Sequence, residues 1–108
     1  MTMKKANSDT PLAPFTPSTE TKALFKAVST LENEKEIAAF FRDLLTIAEI
    51  EEFTNRWQAV LMLEKGIPYL EISQKLGIST TTVTRCSQWL RRGAGGYKTA
   101  LSRTSSKR

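Results

Sequence analysis

Residues 69–88 read Tyr69-Leu70-Glu71-Ile72-Ser73-Gln74-Lys75-Leu76-Gly77-Ile78-Ser79-Thr80-Thr81-Thr82-Val83-Thr84-Arg85-Cys86-Ser87-Gln88. The spacing predicts two helices joined by a sharp turn, the helix-turn-helix arrangement. Ile72 and Leu76 fall on the inner face of the first helix, and small Ser73 sits where the two helices approach. Gly77 permits the left-handed backbone of the turn, Ile78 plugs the corner, and Ser79 is placed to cap the second helix. Val83 and Cys86 supply that helix's inner face.

The opposite face of the second helix carries Thr80, Thr81, Thr84, Arg85 and Gln88. These are short hydrogen-bonding groups and one cation, without an acid. Such a face suits a helix lying in a DNA major groove, where threonine offers a hydroxyl and a methyl and Gln or Arg makes paired contacts to base edges. Ser79 and Thr82, at the start of the helix, join this candidate surface. Lys75, Arg91, Arg92 and Lys98 are the expected phosphate contacts, and Tyr69 has a hydroxyl to donate to a phosphate.

Charge points the same way. The 108 residues carry a net charge of +5, but the last acidic residue is Glu71. Residues 1–71 hold eight basic and eleven acidic side chains, whereas residues 72–108 hold eight basic and no acidic ones. An acid-free end suits a polyanion. An anionic membrane is the other candidate, and it fails because the outer face of residues 79–92 is rich in threonine and lacks large apolar groups.

Working outward, the chain reads as one small all-helical domain. Residues 1–17 contain Pro11, Pro14 and Pro17 and are expected to form a flexible arm. The start has no apolar run of the kind a signal peptide needs, so a cytoplasmic location is expected. Residues 18–101 are expected to form the domain, and 102–108 a flexible basic tail. Leu24, Ala27, Val28 and Leu31 mark a first helix capped by Ser18 or Thr19. A second starts near Asn33 and is expected to bury Ile37, Phe40, Phe41 and Leu44. Thr46 and Glu49 have the spacing of a capping box, which opens a third helix running to about Lys65. Gly66 ends it, Pro68 is expected at the first position of the fourth helix, and Tyr97, Ala100 and Leu101 suggest a last, short one.

The third helix is apolar on more than one side: Ile50, Phe53, Trp57, Val60 and Leu61 form one face, and Ala59, Met62 and Leu63 widen it. So broad an apolar surface needs more than one neighbour. In a chain of this length a second copy is the expected source, giving a homodimer.

These segments also resemble the Trp repressor superfamily. The resemblance rests on Leu44-Leu45-Thr46, Glu49, Asn55-Arg56 and the run Leu76–Arg85; Trp89-Leu90 and Gly95-Gly96-Tyr97-Lys98 look like its YerC/YecD-type branch. It covers about residues 20–101. The resemblance implies an all-α, intertwined homodimer that sets two recognition helices into successive major grooves of a palindromic operator in double-stranded DNA.

It also implies a place for an effector. Arg56 and Arg85 stand where the family's two arginines sandwich the indole of bound tryptophan, and carbonyls near Leu45 and Thr46 match those facing its amino group. Cys86, however, stands where the family has a glycine, and Trp89 where it has a ligand-holding serine. With Trp89 pointing inward there is no room for the amino acid, so the chain is expected not to use tryptophan as corepressor; it either binds DNA constitutively or answers another signal. Tyr69, Leu70 and Ser73 replace polar or basic DNA-contacting side chains of the family, so a different operator is expected.

Enzymatic chemistry has little footing here. The chain has no His and one Cys, which excludes histidine catalysis, an intrachain disulfide and the usual zinc sites. Glu49, Glu51 and Glu52 do not point one way round a helix and read as a solvated helix start rather than a metal site. Gly93-Ala94-Gly95-Gly96 has neither a preceding strand nor a following Gly-Lys-Ser/Thr, so it reads as a hinge and not a phosphate loop. Cys86 reads as packing rather than a redox sensor. The expectation is a DNA-binding regulator of transcription, more readily a repressor, with no enzyme activity and no cofactor. The rival readings are a DNA-binding helper of a transposition system and a protein-interaction adaptor or antitoxin.

Overall fold

A computed structural model describes residues 14–105. Among them are six α-helices and no strand: α1 Thr19–Ser29, α2 Glu34–Leu44, α3 Ile47–Glu64, α4 Tyr69–Leu76, α5 Thr80–Arg92 and α6 Gly96–Ser105. The fold is all-α. Most of the expected N-terminal arm lies outside the described residues, and 14–18 form no regular element.

Local chemistry accounts for each boundary. Ser18 accepts from the Thr21 amide at 3.1 Å, Asn33 from Glu36 at 2.9 Å and Ser79 from Thr82 at 3.0 Å, each satisfying a donor that a helix start leaves free. Thr46 and Glu49 form the reciprocal pair that opens α3, with the Thr46 amide donating to Glu49 Oε1 at 2.9 Å and the Glu49 amide to Thr46 Oγ1 at 3.1 Å. Gly66, at φ 80°, closes α3 as the Ile67 amide reaches back to the Met62 carbonyl and the Gly66 amide to that of Leu63. Pro68 differs from the expectation: its ψ of 147° is extended, so it caps α4 from outside and Tyr69 is the first helical residue.

The chain divides into two compact units with the boundary inside α3, one comprising Phe15–Thr54 and the other beginning at Asn55. In the first, no residue is buried. The expected burial of Ile37, Phe40, Phe41 and Leu44 does not occur within a single chain: Ile37 is 39% and Leu44 50% exposed, and the half-buried Phe40 and Phe41 rings meet each other at 6.3 Å. The amphipathic stripe of α2 is real, but this unit contains nothing thick enough to cover it.

The second unit has its own core. Ala59 and Val60 of α3, Ile72 of α4, and Val83 and Cys86 of α5 are buried together, and Trp57, Leu63, Leu76, Leu90, Tyr97 and Leu101 pack around them. The Trp57 and Tyr97 rings lie 6.1 Å apart and tie α6 to α3. Here α6 runs to Ser105, past the boundary expected at Leu101. Nothing in residues 102–105 breaks a helix, and the Thr104 and Ser105 hydroxyls donate to the carbonyls of Ala100 and Leu101 at 2.8 and 2.7 Å.

Candidate nucleic-acid interface

The α4–α5 pair is held by a turn in which almost every polar group is used. Gly77 adopts φ 69°, ψ 32°, the left-handed conformation that costs glycine nothing. The Gly77 and Ile78 amides both donate to the Ser73 carbonyl, at 2.9 and 3.2 Å. Ser73 Oγ in turn donates to the Ile78 carbonyl at 2.6 Å. Ser73 is therefore more than a small residue at a close approach: it clamps the turn with both main chain and side chain.

Below the turn, Ile72 and Val83 are fully buried and Cys86 nearly so. This fixes which face of α5 looks out, since successive residues advance by about 100° around a helix. Thr81, Thr84, Arg85 and Gln88 are exposed on the outer surface, with Thr80 and Arg91 exposed at its flank. The structure thus brings together the threonines, Arg85 and Gln88 expected to face a ligand. No acidic residue occurs in α5 or α6. Arg91 and Arg92 occupy the last turn of α5, where positive charge is also favoured by the helix dipole.

Other expected contacts are engaged differently. Ser79 and Thr82 are committed to the cap, their hydroxyls 3.0 Å apart, and Thr82 is half-buried. Lys75 and Lys98 are exposed, and Lys98 Nζ donates to the Arg91 carbonyl at 3.4 Å at the end of α5. The Tyr69 hydroxyl points at the protein, donating to Ser87 Oγ at 2.6 Å. Ser87, which is outside the expected set of site residues, is 3% exposed. Its position between inward Val83 and Leu90 is the signal that marks it as interior.

Of the expected effector residues, Leu45 and Thr46 belong to the first unit and Arg56, Arg85, Cys86 and Trp89 to the second. The Leu45 carbonyl accepts from Arg42 at 3.2 Å, and the Thr46 carbonyl from the Ile50 amide at 3.0 Å. Cys86 Sγ lies 3.9 Å from the Arg56 carbonyl oxygen. Burial raises the Cys86 thiol above its usual range, and the Arg56 guanidinium partly opposes the shift. Tyr97 is likewise raised, by burial first and then by Cys86, again against Arg56. Trp89 does not point inward as expected: it is 49% exposed. Val83, Cys86, Ser87 and Leu90 already fill the inner face of α5, which leaves residue 89 on the flank.

A cleft of about 1010 Å³ lies beside these elements, with Leu61, Leu90, Arg91, Lys98 and Leu101 among its lining residues. Among the described residues, no group of His, Cys, Asp and Glu could hold a metal ion, and no helix is long and apolar enough to cross a membrane.

Comparison with known proteins points to one family. The family model for the Trp repressor protein matches residues 19–105. The uncharacterized protein YerC of Bacillus subtilis (strain 168) is 36% identical over 84 residues, covering 78% of this chain and 81% of YerC. The solved structure of a TrpR-like protein from Eubacterium eligens ATCC 27750 superposes with a TM-score of 0.74 at 33% identity, over 82% of this chain and 91% of that one. A second solved structure, from Staphylococcus aureus, gives a TM-score of 0.74 at 36% identity, over 82% and 89% of the two chains.

Proposed function

Because the chain belongs to the Trp repressor family, we propose that it is a sequence-specific DNA-binding regulator of transcription that acts as a homodimer and represses by occupying its operator. The α4–α5 pair is the helix-turn-helix, and α5 enters the major groove. The observation that carries this reading is the outer face of α5, where exposed Thr81, Thr84, Arg85 and Gln88 stand together without an acid. In a groove lined by base-edge donors and acceptors and flanked by phosphates, that face gains hydrogen bonds and pays no charge repulsion. Lys75, Arg91, Arg92 and Lys98 supply phosphate affinity.

The dimer is supported by the unit Phe15–Thr54. Leu24, Phe25, Ile37, Leu44, Ile47 and Phe53 are between 37% and 57% exposed, and the unit has no buried residue of its own. Apolar surface on that scale costs roughly 25 cal/mol for every Å² left in water, a strong drive to cover it with a second copy. On this reading the operator is palindromic, one half-site for each copy of α5, and the protein acts in the cytoplasm.

Trp89 lies on the flank of α5 and does not fill the family's effector place, so the reading that tryptophan is not the corepressor rests on Cys86. Where the family has a glycine, the Cys86 side chain packs against the Arg56 backbone. The effector is a different molecule, or DNA binding is constitutive. Light scattering combined with calorimetric titration tests both parts: a dimer at micromolar concentration with no heat of L-tryptophan binding is expected. A stable monomer would overturn the assembly, and micromolar tryptophan binding the effector reading.

A further inference from the structure

The Tyr69 hydroxyl, at the first residue of α4, donates to Ser87 Oγ, two turns into α5, at 2.6 Å. Ser87 is the only buried polar side chain among the described residues, and none of their buried side-chain polar atoms lacks a partner. The core that the helices share is otherwise apolar, with Ile72, Val83 and Cys86 at its centre, and the Ser73 hydrogen bonds act on the turn rather than on the body of α5. Such contacts hold the two helices together without singling out one rotation of α5 by their direction. A hydrogen bond does single one out, because it weakens steeply with misalignment.

We propose that Tyr69 is a positioning residue whose hydrogen bond to Ser87 sets the rotation of α5, so that Thr81, Thr84, Arg85 and Gln88 meet base edges in register. This rests on the DNA-binding reading above. With side chains reaching about 5–6 Å from a helix axis, a turn of ~20° moves their tips by about 2 Å. That displacement breaks paired contacts to a base edge, while flexible lysines and arginines still find phosphates. Because its proton is committed to Ser87, the Tyr69 hydroxyl is not the phosphate donor its position suggests from sequence alone.

The test uses the full chain and the DNA site selected by the wild-type protein from a random pool. Binding to that site and to a scrambled duplex is measured over a range of salt for wild type, Tyr69→Phe, Ser87→Ala and the double variant, with folding checked by circular dichroism. The expected result is a roughly tenfold loss of the specific-to-scrambled ratio in each single variant, about the worth of one hydrogen bond. The double variant loses no more than either single one, and the salt slope is unchanged. An unchanged ratio in folded single variants overturns the proposal and leaves only a structural role. Equal loss on both duplexes in Tyr69→Phe, with Ser87→Ala unaffected, overturns it in favour of a phosphate contact. If the wild-type chain selects no site, the DNA-binding reading itself falls, and the inference with it. Should one single variant fail to fold, the other gives the same readings.

Discussion

Ser73 Oγ donates to the Ile78 carbonyl at 2.6 Å while the Ser73 carbonyl accepts from both Gly77 and Ile78. One residue thus ties the end of α4 to the entry of α5 from both sides of the turn. Ser73→Ala removes the donor and leaves a part-buried carbonyl short of a partner. The expected cost is about 1–3 kcal/mol in urea-induced unfolding, larger than for an exposed serine.

Two glycines separate backbone strain from steric conflict. A Cβ at Gly77 meets nothing within 4 Å, so Gly77→Ala costs only the left-handed conformation, about 1–2 kcal/mol. Gly93 has φ −84°, which any residue adopts, but a Cβ there collides with the Trp89 carbonyl. That oxygen accepts the Gly93 amide at 2.9 Å and is backbone, so it cannot swing aside. Gly93→Ala is expected to destabilise the chain by up to about 3 kcal/mol, and hydrogen exchange should show the loss in the last turn of α5.

Stability is expected to fall at alkaline pH. Burial raises both Cys86 and Tyr97, so each ionises later in the folded chain than in the unfolded one. Between the two values the folded state binds more protons, and stability declines as pH rises. The loss sets in as pH rises toward about 8.5, where an unfolded thiol is half ionised, and Tyr97 adds to it toward about pH 10. Thermal unfolding of the wild type should therefore decline through the alkaline range, less steeply in Cys86→Ala. The native thiol should also react slowly with a disulfide reagent at neutral pH.

Base and phosphate contacts predict opposite signatures. Thr84 is exposed on the outer face of α5, and Thr84→Ala should relax preference among related duplexes by about 1–3 kcal/mol at the contacted base pair. Arg91 is exposed at the flank, and Arg91→Ala should weaken binding to all duplexes alike and lower the salt slope by about 1. Titrations against a small panel of duplexes at several salt concentrations separate the two. The reverse pattern would mean that a different face of α5 meets the DNA.

Local rules made much of the fold legible. Ser18, Asn33, Thr46 with Glu49, Gly66, Gly77 and Ser79 each act within a few residues of themselves, so their chemistry can be read without knowing the fold. Burial could not be read in the same way. The stripe formed by Ile37, Phe40, Phe41 and Leu44 marks a face that needs cover, but not whether that cover comes from the same chain. Trp89 departs from the expectation for a related reason: a large aromatic suggests an interior, yet Cys86, Ser87 and Leu90 already occupy the inward positions. Tyr69 looked like a surface donor because its partner, Ser87, lies 18 residues away. Residues 102–105 looked like tail because their composition is polar, whereas helix continuation there depends on hydroxyls folding back onto the preceding turn.

The central claim, that paired α5 helices read a duplex, is tested most directly by capturing genomic DNA fragments on the purified protein and aligning the enriched sequences. The account predicts a palindrome whose half-sites lie about one helical turn apart, roughly 10 base pairs. Fragments that share no motif, or a single unrepeated half-site, would contradict it.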